Sequence, residues 1–231
     1  VKCAQQAFNN PDWRDLKPHL RARFLYRIGE LIDADVDKLS HIQMTDNGKT
    51  ISECRQMIAG AANCFRYYSG VCETLEGIVT PSRGDYMSVA VSEPIGIVGL
   101  ITPWNSPALL EANKIAPALA AGNCVIIKPS EVTPLIALEY ARIGEEAGLP
   151  PGVLSVITGA SDIGRLIVEH PDIGMISFTG GPAAGKRIAA SAGALLKPVV
   201  LELGGKSPNI VFADADFDVA LNGVVSGIFS G

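Results

Sequence analysis

From Pro94 onward the sequence alternates short apolar runs with stretches of helical periodicity, and this alternation limits the fold more than any other feature. The apolar runs are residues 97–102, 124–128, 154–158, 175–179, 199–203 and 209–212. Near-continuous apolar strands separated by helices are what a parallel sheet covered on both faces requires. The expected fold is therefore α/β, a Rossmann-like doubly wound parallel sheet. Three turns share one device: Ser106-Pro107, Thr133-Pro134 and Gly181-Pro182 each set a capping residue before a proline at the first helical position. Asp214 or Asp216 would cap one more helix. Helix N-termini placed just past the carboxyl ends of strands favour phosphates, and this edge is where such sheets bind ligands. Physics alone thus reaches a nucleotide-binding domain.

Residues 1–75 read differently. Leu20, Phe24, Ile28, Leu31 and Ile32 recur at spacings of three and four, as one buried helix face requires. Asp46-Asn47-Gly48 breaks the pattern, and a second helix runs through Cys54, Ile58, Ala61, Phe65 and Tyr68. Between residues 77 and 93, Ile78-Val79-Thr80 and the run 86–91 flank the turn-forming cluster 81–85, which predicts a projecting hairpin. An isolated hairpin is marginal in water, so this arm is expected to pair with something else, such as another subunit.

The chain has 231 residues, 48% of them hydrophobic, enough for a sizeable core in one large domain. A net charge of −5 argues against a nucleic-acid partner. The most apolar region, 94–129, is interrupted by Trp104, Asn105, Glu111 and Lys114, so no membrane span is expected. The five cysteines form no C-x-x-C pair, and no signal peptide opens the chain, which points to reduced thiols in a cytoplasmic protein. No metal set is expected. Cys54, Cys64 and Cys72 fall on or near one helix and read as core packing. The opening Val1-Lys2-Cys3-Ala4 looks like mid-helix, so the expectation is a portion of a longer protein.

Two near-matches to a P-loop fail on inspection. Gly180-x4-Gly185-Lys186 is followed by Arg187 where Ser or Thr must reach magnesium, and Gly205-Lys206-Ser207 has Val200 where the opening glycine belongs.

Four segments together resemble the aldehyde dehydrogenase superfamily: Thr102-Pro103-Trp104-Asn105, Lys128-Pro129-Ser130-Glu131, Phe178-Thr179-Gly180-Gly181 with Gly185, and Leu201-Glu202-Leu203-Gly204-Gly205-Lys206-Ser207-Pro208. Each alone is weak, but the order and spacing of the four are specific, and the resemblance covers nearly the whole chain. It implies NAD(P)-dependent oxidation of an aldehyde to a carboxylic acid through a cysteine acyl-enzyme. Residues 1–231 would be the cofactor-binding domain, interrupted by the arm at 77–93, with the catalytic cysteine domain beginning after 231. The arm would complete a sheet in a homodimer or homotetramer.

The resemblance also implies roles. Asn105 would donate to the oxyanion, where negative charge develops; by itself it reads as a cap before Ser106. Glu202 would be the general base for hydrolysis, a role that calls for burial; by itself it reads as a carboxylate on a wet strand end. Lys114 resembles the lysine near a proton-release path. Lys128 and Glu131, with Ser130, would hold the adenosine ribose, though alone they read as a surface pair. The Glu131 carboxylate disfavours a 2′-phosphate, which favours NAD and leaves NADP open. Gly180 and Gly181 would admit the pyrophosphate to backbone N–H groups, and Gly164, Gly185 and Gly204 would also belong to the cofactor site. Ile101, Thr102, Pro103, Trp104, Phe178, Thr179 and Leu203 would line the cofactor cleft.

The sequence departs from the family pattern in places. None of the five cysteines stands where the nucleophile belongs, which would follow shortly after Gly231. Gly181 replaces a common Ser. The loop 159–164 is short by about one residue against the usual glycine-rich adenine loop. Ser106 and Asn113 stand where many members carry aromatics, which predicts a roomier or more polar aldehyde pocket. Three alternatives compete: a non-catalytic dinucleotide-binding or assembly module, a relative that makes acyl-CoA or an acyl phosphate, and a P-loop NTPase.

Overall fold

The computed structural model describes residues 1–82 and 84–229. Its element order is α1 (Lys2–Asn9), α2 (Pro11–Arg14), α3 (Pro18–Ala34), α4 (Val36–Asn47), α5 (Ile51–Val71), β1 (Ile78–Thr80), β2 (Ser88–Ala90), β3 (Ile97–Ile101), α6 (Pro107–Ala120), β4 (Cys124–Lys128), α7 (Leu135–Glu146), β5 (Leu154–Val156), α8 (Ser161–Glu169), β6 (Met175–Thr179), α9 (Pro182–Ala194), β7 (Val199–Glu202) and α10 (Phe217–Phe229).

Strands β3–β7 form one parallel sheet in the order β5-β4-β3-β6-β7. The chain winds outward from β3 through α6 and α7, then returns to β6 on the other side of β3 and winds outward again through α8 and α9. Right-handed crossovers in opposite directions place the two helix pairs on opposite faces. The reversal lies between β3 and β6, and the crevice at such a switch point is where ligands bind.

The inner strands β3 and β4 are buried at every position, which explains their unbroken apolar sequence. Toward the edge the pattern relaxes, and β7 alternates half-buried with exposed. Gly99 in β3 is needed because an added Cβ would lie 2.6 Å from Ile167 of α8.

The N-terminal helices close the sheet's α6 side. Ile28, Ile32, Ile58, Ala61, Ala62 and Phe65 form the buried seam of α3 and α5. Thr50 and Glu53 make a reciprocal capping box at the start of α5. Gly48, at φ 75°, ends α4 in the left-handed conformation that glycine tolerates. Two buried donors fasten this layer to the end of α6: Trp13 Nε1 donates to Gly122 O at 3.0 Å, and Arg21 Nε to Ala120 O at 2.9 Å. A cation at a helix C-terminus also complements the dipole. Cys54 and Cys72 are buried as core side chains, as expected, and Cys64 is half-buried.

The hairpin forms at the expected place with register Ile78↔Ala90 and Thr80↔Ser88. Both strands are exposed throughout. Its second strand is shorter than the predicted run 86–91, and Arg83 of the predicted turn lies outside the described residues.

Two expectations fail. Residues 209–212 form no strand, and Ile210, Val211 and Phe212 are exposed. A short apolar run makes a strand only where a ladder partner exists, and among the described residues this segment has none beyond β7. The Thr133-Pro134 turn also differs, because Pro134 is the cap residue and α7 starts at Leu135. The Leu135 N–H is taken by Asp46 Oδ2 at 3.0 Å, so the cap comes from α4 rather than from Thr133. The other two prolines do sit in the first turn, after Ser106 and Gly181. Asp216 caps α10, accepting from Val219 N at 3.0 Å. That helix buries none of its residues. Among the described residues no helix is long and apolar enough to cross a membrane.

Candidate functional site

Strand period and register sort the site residues onto two faces of the sheet. Ile101, Lys128 and Phe178 pair across β4, β3 and β6 and face α8 and α9. Leu100, Ser177, Val200 and Glu202 face α6. The two sets meet at the sheet's carboxyl edge.

On the α8–α9 face the residues make a groove. Gly164 of α8 looks across it, and an added Cβ would lie 3.8 Å from Lys128 and 3.9 Å from Ile101. Lys128 is buried, and its ammonium donates to Pro129 O at 2.8 Å and to Glu131 Oε2 at 3.5 Å. The Glu131 side chain is half-exposed at the rim, next to Ser130. Farther along, Gly181 caps α9 and Gly180 donates its N–H to Glu202 O at 3.0 Å. A Cβ at Gly180 would strike the Phe178 ring at 2.5 Å, whereas one at Gly181 would meet nothing within 4 Å. The start of α9 is therefore open, and its unpaired N–H groups suit a pyrophosphate. Gly185 serves packing, since a Cβ there would lie 2.5 Å from Leu203. Gly204 approaches Pro182.

On the α6 face lies a cleft of about 750 Å³. Its polar lining is Asn113, Lys114, Asn123, Ser177, Thr179 and Glu202, set among apolar side chains such as Val98, Leu110 and Met175. Lys114 is buried and donates to Ser177 Oγ at 2.8 Å. Burial lowers the Lys114 pKa, and the nearby Glu202 charge opposes that shift. Glu202 is exposed, so the described residues do not supply the burial expected for a general base. Asn113 lines the cleft, but Ser106 does not; it is buried as the cap residue of α6.

Thr102, Pro103, Trp104 and Asn105 form the turn from β3 into α6. Thr102 is buried and pairs with Lys128 O, whereas Trp104 and Asn105 are exposed at the edge. Two side chains of α4 clamp this turn: Gln43 Oε1 accepts from Ala108 N at 3.1 Å, and Asn47 Nδ2 donates to Asn105 O at 3.4 Å. Sequence reasoning missed Gln43, Asn47 and Ser177. The one signal for Ser177 is a hydroxyl in the middle of the strand, between apolar Ile176 and Phe178. Burial pushes the Cys64 thiol up to about 11 and the Cys124 thiol up to about 12, so neither is a ready nucleophile.

Residues 1–231 match the family model described as "Aldehyde dehydrogenase family". The chain belongs to the aldehyde dehydrogenase family. It is 42% identical to a hydroxybutyrolactone dehydrogenase of Acinetobacter baylyi, over 100% of this chain and 48% of that protein. It is 41% identical to betaine aldehyde dehydrogenase of Bacillus subtilis, over 99% of this chain and 47% of that protein. The chain thus spans about half the length of these two relatives. Among solved structures, an NAD-dependent aldehyde dehydrogenase from Sinorhizobium meliloti superposes with a TM-score of 0.95 at 36% identity, covering 98% of this chain and 45% of that one. Betaine aldehyde dehydrogenase from Staphylococcus aureus, solved in complex with NAD+, gives 0.94 at 37% identity, covering 97% and 45%.

Proposed function

We propose that this chain is the cofactor-binding portion of an NAD-dependent aldehyde dehydrogenase that oxidises an aldehyde to a carboxylic acid. The observation that carries the proposal is the meeting of two features at one sheet edge: a glycine-lined groove at the start of α9 and a cleft holding Lys114 and Glu202. The NAD+-bound relative supports the choice of cofactor. The residues present fit the dinucleotide, since the N-terminus of α9 is open before Gly181.

Lys128 and Glu131 hold the adenosine ribose, and Glu131 repels a 2′-phosphate, which favours NAD over NADP. Gly180 and Gly181 let the pyrophosphate approach backbone donors. Ile101, Trp104 and Leu203 line the nicotinamide path. NAD, when bound, accepts the hydride from the aldehyde carbon. Asn105 donates to the oxygen on which negative charge develops, Lys114 serves proton release, and Glu202 takes the proton of the hydrolytic water. The nucleophilic cysteine belongs to a catalytic domain following residue 231. The exposed arm, β1 and β2, pairs with a neighbouring subunit in a homodimer or homotetramer, and the enzyme works in the cytoplasm.

The test uses the full-length protein with NAD and an aldehyde series. Glu202→Gln is expected to spare the first burst of NADH while suppressing steady turnover. Equal turnover by the variant and the wild type overturns the base assignment, and absence of NADH with every aldehyde overturns the reading as a whole.

A further inference from the structure

We propose that Ser177 is the positioning residue for Lys114, pinning its amine across the cleft between α6 and the sheet so that it stays beside Glu202. This inference rests on the functional reading above for its consequence, but not for its geometry.

Lys114 leaves α6 with a long flexible side chain whose natural course is toward water. Instead the residue is only 8% exposed, and its ammonium spans the cleft to the Ser177 hydroxyl at 2.8 Å. Ser177 is the middle residue of β6, flanked on the same face by Met175 and Thr179 and paired with Leu100 and Val200. Met175, Leu100 and Val200 around it are apolar and Thr179 is β-branched, yet this position carries the small unbranched hydroxyl of a serine. A serine in a half-buried central strand adds little packing, and β-branched residues suit the position better. Its geometry gives the reason: its oxygen is the acceptor recorded for the amine.

The surroundings make that acceptor matter. The cleft that Lys114 enters is lined mostly by apolar side chains, Leu110, Pro117 and Val200 among them, with Asn113, Asn123, Ser177, Thr179 and Glu202 as its other polar groups. Burial in such a setting disfavours the charged ammonium and lowers the Lys114 pKa. The charged group on the facing elements that acts on it is Glu202, at the end of β7. The Ser177 hydroxyl oxygen accepts from the ammonium, and its O–H can donate to the neutral amine, so it can hold Lys114 in both protonation states. A residue that passes protons needs such a partner, because a charge-only contact would release it on deprotonation.

The experiment measures the amine itself. The full-length protein is pulse-labelled with acetic anhydride across a pH range, and acetylation at Lys114 is read by mass spectrometry against the other lysines. In wild type, Lys114 should label slowly. Losing one hydrogen bond should raise its labelling in Ser177→Ala by roughly 2- to 10-fold. Ser177→Thr, which keeps the hydroxyl, should return it near wild type. The same variants are assayed for turnover: Ser177→Ala should shift the pH profile of kcat and leave KM for NAD unchanged. Identical labelling in Ser177→Ala and wild type overturns the proposal even if the enzyme is active. Altered labelling with no aldehyde oxidation by wild type leaves the pinning standing and rejects the functional reading. A thermal melt separates misfolding from local release, and equal faster labelling at buried lysines elsewhere, such as Lys128, counts against the proposal.

Discussion

Thr102 and Glu111 face each other behind the turn that carries Asn105: Thr102 Oγ1 donates to Glu111 Oε1 at 3.5 Å, while Glu111 Oε2 has no hydrogen-bond partner among the described residues. The carboxyl is fully buried. Burial, with the Asp46 charge adding to it, holds the Glu111 pKa well above its ordinary value, against the pull of Thr102. A raised folded-state pKa means the folded protein binds the proton more tightly than the unfolded chain. The stability it contributes is complete below the ordinary value of 4.5 and is lost as pH rises through the folded-state value. Glu111→Gln removes this titration. It should raise the melting temperature at about pH 8, by about 1–3 kcal/mol in stability, and change little at about pH 4. Melts over a pH series check it; parallel curves for both proteins would reject the argument.

Gln43 is fully buried, and its side-chain oxygen takes the Ala108 N–H at the start of α6. Gln43→Leu leaves that donor without a partner and should cost about 1–3 kcal/mol. Gln43→Glu keeps an acceptor in place and should recover part of the loss. Because the same turn presents Asn105, kcat of the full-length protein should fall more than KM for NAD rises.

The ends of α6, α7 and α9 share one geometry. Asn123 N reaches Ala118 O with Gly122 N on Leu119 O, and Leu149 N reaches Gly144 O with Gly148 N on Glu145 O. At the third, Lys197 N reaches Ala192 O and Leu196 N reaches Gly193 O. These are Schellman closures, which need a left-handed residue. Gly122 and Gly148 fill that place at φ 84° and 87°, but Leu196 does so at φ 55° with 92% exposure. A non-glycine residue there is strained by about 1–2 kcal/mol, partly offset by the chain entropy of glycine. Leu196→Gly should therefore raise stability by about 0.5–1 kcal/mol in a denaturant titration, and a loss would contradict it.

Gly180 and Gly181 are neighbours with opposite tolerance. Gly180→Ala drives a Cβ into the Phe178 ring and should cost about 1–3 kcal/mol. Gly181→Ser enters open space, at φ −70° and ψ 148°, the geometry of a capping serine. One added hydroxyl at the start of α9 should tighten NAD by about 2- to 10-fold in isothermal titration. Unchanged affinity would mean the pyrophosphate does not lie at this helix.

Much of the fold was legible in the chain because its signals are local. The apolar runs at 97–102, 124–128 and 175–179 lie within a residue of β3, β4 and β6, since β3 and β4 are buried at every position and β6 keeps buried apolar residues at Ile176 and Phe178. Gly48, Ser106-Pro107 and Gly181-Pro182 marked helix ends because backbone geometry is a property of single residues. The run at 209–212 misled because a short apolar run cannot say whether a pairing partner exists.

The sequence by itself determined the doubly wound sheet, its phosphate-favouring helix starts and the family to which the motifs belong, because period, capping and spacing are written in neighbouring residues. Only the tertiary structure decided that Lys114 reaches Ser177, that Gln43 and Asn47 hold the turn of Asn105, and that Asp46 rather than Thr133 caps α7. Each of these joins residues at least 58 apart, as for Asn47 and Asn105, on elements that meet only when the chain packs into its tertiary fold. Such contacts depend on packing direction and depth, which no local pattern encodes.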